Sequence, residues 1–230
     1  MSSVKLKHAS GNSMGIVAPA TNPASDLELK LPATIGTAGQ ALVNSSTAGV
    51  LEFSGSARRV LEQFYAPCDG SVIATSAGNL TLPTVTDVQN LTTSYADLTG
   101  SSITYTPPAG ATQVIYRFSY HWARAGDDNT RAHFKFFIDS DEVTNARVSN
   151  GAGGNFGGEG QMNFEWGINI GGTAATATGR QASWTSGKTL KITTREYAST
   201  VEQKLHKIYY WDGAASAQFS QPCVGITAIG

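Results

Sequence analysis

TQVIYRFSYHWARA, residues 112–125, decides the fold. Successive side chains of an extended strand point to opposite faces, so Val114, Tyr116, Phe118, Tyr120 and Trp122 make one face and Ile115, Arg117, Ser119 and His121 the other. An aromatic face of this length needs a second sheet to cover it, and a sandwich is expected. The following RAHFKFFID repeats the alternation with Ala132, Phe134 and Phe136, and GDDNT at 126–130 reads as the turn of a hairpin joining the two.

Outward from this pair the text stays β-like. SVIATS, NLTLPTV, LTTSYADL and SSITYTP precede it, bounded by Gly, Pro or Asn, and EVTNARVS, QMNFEWGINI, TLKITTREYA, KLHKIYYWDG and CVGITAI follow, spaced much as a sandwich requires. VEQKLHKIYYW also admits a helical reading through Leu205, Ile208 and Tyr209, but its aromatics and the WDG after it favour a strand. From Ser71 onward, roughly eight to ten strands predict a jelly-roll-like sandwich. SGSARRVLEQFYAP differs: Ser54 or Ser56 could cap a helix carrying Val60, Leu61 and Phe64 on one face, with Pro67 ending it. The expected organisation is therefore all-β, with a small module at 1–53, a short helical linker at 54–68 and a C-terminal sandwich at 69–230.

The chain has 230 residues, 14% of them charged, with a net charge of −1. That charge gives no basis for binding nucleic acid or anionic membrane, and no apolar run approaches the roughly 20 residues of a spanning helix, so no membrane insertion is expected. MSSVKLKHAS lacks the apolar core of a signal peptide, which predicts synthesis in the cytoplasm. Cys68 and Cys223 fit no zinc spacing and no disulfide framework, so reduced thiols are expected.

At the front, LELKLP at 27–32 alternates Leu27, Leu29 and Leu31 against Asp26, Glu28 and Lys30. Two more short apolar runs follow, Ala41 to Val43 and Val50 to Phe53. Three such strands bury too little surface to offset the ordering of their backbone, about 1–2 kcal/mol per residue, unless other copies complete the core. Leu27, Leu29, Leu31, Leu42, Leu51 and Phe53 are the candidate inter-chain core. The leucine strand ending in LP, the GTAGQAL and the G-x-L-x-F ending, with VKLKHASGNSMGIVAPATNPASDLELKLP before them, resemble a module common in tail-fibre and related virion proteins of tailed bacteriophages, particularly marine ones. The resemblance covers residues 4–53. It implies a homotrimer on the exterior of a virion, assembled in the host cytoplasm, held to other virion proteins by its N-terminal region. It transfers no catalytic residue.

Several motifs suggest chemistry and are better read as structure. ASWTSGKT at 182–189 fits a loose phosphate-binding loop, but LKITTREY after it alternates as a strand where that loop needs a helix; a tight SGK hairpin turn is the better reading. The Gly-rich GAGGNFGGEG at 151–160 lacks the surrounding βαβ unit of a dinucleotide site and reads as a flexible loop, with Asn155 and Phe156 as possible partner contacts. Asp127, Asp128 and Asn129 would form a second partner-binding loop; Asp127 and Asp128, with Asp139, Asp141 and Glu142, lack the spacing of a calcium loop. His8, His121, His133 and His206 show no metal-ligand spacing, and neither a catalytic constellation nor a cofactor motif stands out. The expected function is attachment to a host-surface receptor or glycan by a tail fibre or fibre tip, through a trimeric C-terminal sandwich. The alternatives are a capsid-associated fibre or decoration protein and, from another class, a polysaccharide-degrading enzyme.

Overall fold

The computed structural model describes residues 3–7, 13–17, 29–36, 40–47, 49–54, 59–124, 129–152, 158–210 and 218–230. The chain divides into two units, residues 1–57 and 58–230.

In the first unit β1 (Ser3–Lys7) pairs antiparallel with β2 (Ser13–Val17), and β3 (Ala41–Asn44) with β4 (Leu51–Ser54). The leucine strand expected at 27–32 is reduced, among its described residues, to one parallel bridge, Lys30 to Val50. Lys30 N donates to Gly49 O and Leu51 N to Lys30 O, both at 2.8 Å. Pro32 has no N–H to extend that ladder.

The second unit contains β5 (Val60–Pro67), β6 (Val72–Thr75), β7 (Gly78–Thr81), β8 (Gln89–Asn90), β9 (Ala96–Asp97), β10 (Ile103–Tyr105), β11 (Gln113–Arg124) and β12 (Thr130–Ile138). After them come β13 (Asp141–Ala152), β14 (Glu159–Asn169), β15 (Lys188–Glu196), β16 (Gln203–Leu205) and β17 (Cys223–Ile229). Eight of these build the sandwich: β5-β17-β11-β14 form one sheet and β10-β15-β12-β13 the other. Numbered one to eight along the chain, the sheets run 1-8-3-6 and 2-7-4-5, the strand order of a jelly roll. Strands β16 and β8 continue the first sheet past the end of β17, since β16 pairs with β11 only at Trp122 to Arg124.

This order corrects the expected hairpin at 126–130. β11 and β12 lie in opposite sheets. Each has an apolar face that only the other sheet can cover, and the two faces meet: the Tyr116 and Phe136 rings stack at 5.1 Å, and Tyr120 lies 5.9 Å from Phe134. Phe164 of β14 completes the cluster, 5.3 Å from Phe136. Among consecutive sandwich strands, β12 and β13 alone share a sheet, joined by Asp139 and Ser140.

The helical linker at 54–68 is also overturned. Its residues 60–67 are strand β5, paired along β17 from Pro67↔Cys223 to Val60↔Ile229. An unpaired edge on β17 would leave a row of backbone groups without partners, and filling it outweighs the modest helix preference of ARRVLEQ. Phe64 faces the core while Tyr65 turns outward, its hydroxyl 2.5 Å from Ser119 Oγ. The SGK turn is corrected too. Residues 182–187 belong to the connection between sheets, anchored by buried Trp184, whose Nε1 donates to Tyr105 O at 3.1 Å. Of the strand expected over KLHKIYYWDG, the described residues hold only the end of β16 (Gln203–Leu205), which stops before His206, whose φ is 58°.

Candidate binding surfaces

In the first unit the described residues of the expected inter-chain core line an open surface. Leu29 is 60% exposed, Leu31 73% and Leu42 48%, while Leu51 and Phe53 are half-buried. Leu27 lies outside the described residues. Leu42 and Phe53 are cross-strand partners, and the Phe53 ring lies so close over Gly36 that a Cβ there would sit 2.5 Å from it. Leu31, Ile35, Val50, Leu51 and Phe53 help line a cleft of about 410 Å³. Ile35, 97% exposed, was not singled out from the sequence; a β-branched residue within a Thr/Gly run was the available signal.

In the sandwich, the strand ends flanking the two predicted loops lie side by side. Thr130 pairs with Ala152 and Ala123 with Glu159, so the chain enters both loops at the same end. Asp127, Asp128, Asn155 and Phe156 lie outside the described residues; Asn129 is exposed there. The Gly-rich run is shorter as a loop than expected, because β13 continues to Ala152 and β14 starts at Glu159. A cavity of about 660 Å³ opens at this end, lined in part by Trp122, Thr130, Asn150, Gln161, Met162 and Tyr197.

None of these six was picked out from the sequence as a binding residue. Asn150 is hidden by an irregularity: between the pairs Phe136↔Val143 and Phe134↔Val148, β13 advances five positions while β12 advances two. The odd excess reverses which side chains face inward, and alternation counted from Val143 would put Asn150 in solvent. Trp122 could have been found, being the last aromatic of the deciding strand. Its indole lies across Gly160 of the neighbouring strand, where a Cβ would meet the ring at 2.9 Å.

The other candidates have structural partners. Asp139 Oδ2 accepts from Lys188 Nζ at 3.1 Å and Asp139 Oδ1 from Thr189 N at 2.9 Å; Glu142 pairs with Lys135 and Arg147. The lysine of the discarded phosphate-loop motif thus closes a strand end. Ser220 Oγ and His121 Nδ1 are 3.1 Å apart, a nucleophile-and-base pairing that sequence spacing did not indicate. The carboxylate of nearby Glu159 accepts from Tyr209 N, and Ser220 N donates to His206 O, so this pair fastens the segment before β17 onto β11. Cys68 and Cys223 are free thiols, and burial above all pushes the Cys68 thiol up to about 12, which keeps it un-ionised and poorly nucleophilic. Among the described residues no group of three or more His, Cys, Asp or Glu could hold a metal ion, and no helix is long and apolar enough to cross a membrane.

No protein-family model matches the chain, and no curated protein does. Among solved structures, it is similar to a chain in the structure of infectious bursal disease virus Gx strain, with 8% identity and a TM-score of 0.32 over 83% of this chain and 46% of that one. The chain thus spans less than half the length of that viral chain.

Proposed function

We propose that this is a structural protein of a tailed-bacteriophage virion, a tail-fibre or fibre-tip subunit that trimerises through its first unit and meets the host surface with its sandwich. The observation that carries this reading is the exposure of Leu29, Leu31, Ile35 and Leu42 on a module of very short strands. Such a surface gains burial when copies associate. The resemblance of residues 4–53 to the phage module supplies the context, and a jelly roll offers a rigid end on which loops can be presented. Three copies would let weak contacts act together.

Gold-labelled antibody against the sandwich, imaged on intact particles, tests the location. Label on tail fibres or their tips is expected. Label confined to the icosahedral shell would replace this reading with a capsid-associated fibre or decoration protein, and particles without label would end the virion reading. Incubation with host envelope polysaccharide addresses the enzyme alternative, with unshortened chains as the expected result.

A further inference from the structure

We propose that the cavity at the loop end of the sandwich binds a neutral sugar, with Asn150 and Thr130 hydrogen-bonding its hydroxyls and Trp122 and Tyr197 packing against its ring. This names the ligand class for the attachment reading and rests on it for biological purpose, although the chemistry of the site stands on its own.

The interior changes character at this end. Toward the middle, inward positions hold Tyr116, Phe118, Phe136 and Ile192; toward the loops they hold Thr130, Asn150, Thr194, Glu196 and Gln203. Thr130 is 3% exposed, and its Oγ1 has no hydrogen-bond partner among the described residues; neither do Nδ2 and Oδ1 of Asn150, whose atoms are equally shielded. Both residues line the cavity. The Tyr120 hydroxyl, beside the Asn150 amide, is buried and, like both side-chain polar atoms of Gln203, lacks a hydrogen bond of normal geometry. Buried polar groups left this way favour any ligand able to satisfy them.

The type of group selects the ligand. An amide offers both donor and acceptor, and a hydroxyl can act as either, matching sugar hydroxyls. An anion would call for clustered cations, whereas Arg131 is the one cationic side chain among the described residues lining this cavity. The volume, about 660 Å³, falls within the usual range for small-molecule sites. Trp122 and Tyr197 add aromatic rings to the lining, and the negative π cloud of such a ring suits the weakly positive C–H face of a pyranose.

Saturation-transfer NMR on the full chain with D-glucose, D-galactose, N-acetyl-D-glucosamine and maltose, each at millimolar concentration, tests the site. At least one sugar is expected to give signal, with affinity falling about tenfold or more in both Asn150→Leu and Tyr197→Ala. Tyr197 is exposed, so its variant reports on binding even if Asn150→Leu folds poorly. Silence from all four sugars overturns the proposal, as does signal that survives both changes. Failure here with fibres labelled would remove the sugar site and leave the attachment role; sugar binding with unlabelled particles would do the reverse.

Discussion

His206 is fully buried, with its ring edge-on to Phe118 and Tyr120 and its Nε2 3.0 Å from the Thr99 carbonyl. Burial above all lowers its pKa from the usual 6.5 to about 4, against the raising effect of that carbonyl. The unfolded chain therefore takes up the proton first, and stability must fall as pH drops from 6.5 toward 4, by up to about 3 kcal/mol. Urea midpoints followed by tryptophan fluorescence should show this slope, and His206→Asn, which tolerates the left-handed backbone, should flatten it. Ser101 offers a second test. Its Oγ accepts from Ile192 N at 3.0 Å and donates to Leu98 O at 2.7 Å, standing in for a ladder partner of β15 between β9 and β10. Ser101→Ala would orphan the buried Ile192 N–H and should cost about 1–3 kcal/mol in the same unfolding assay.

At the scale of elements, the two sheets are joined mainly through aromatic packing between β11, β12 and β14. Phe136 is completely buried against Tyr116 and Phe164, so Phe136→Ala should destabilise the sandwich by about 3–5 kcal/mol, with a matching loss of near-ultraviolet circular dichroism. The sandwich was legible because period-two alternation in β11, β12 and β15 directly encodes which face is buried. Pairing was not. The turn-like text between β11 and β12 suits a hairpin and a crossover equally, and the choice is made by an opposite sheet distant in sequence. β5 reads as a helix locally because its strand partner, β17, lies at the far end of the sandwich sequence. The cavity was hidden for a related reason: the displaced register of β13 turns Asn150 inward, and neighbouring residues do not announce such a shift.

For the whole molecule, the proposed trimer makes assembly depend on concentration. Sedimentation equilibrium at micromolar protein should give three times the chain mass, and Leu29→Ser with Leu31→Ser should shift it toward monomer while leaving sandwich unfolding unchanged. A stable monomer in the unmodified protein would end that reading. The position of β17 has a further consequence for how the protein is made. It lies between β5 and β11, and Arg59 and Gly230 exchange backbone hydrogen bonds of 2.9 and 3.0 Å where its ladder ends. On the ribosome, therefore, the first sandwich strand waits for the last. Until residues 223–229 emerge, β5 and β11 both hold open edges, and every nascent chain passes through a sticky, half-built state. Yield in a host should rise with chaperone supply and collapse on premature termination before Cys223, since a shortened chain lacks the strand that closes the sheet.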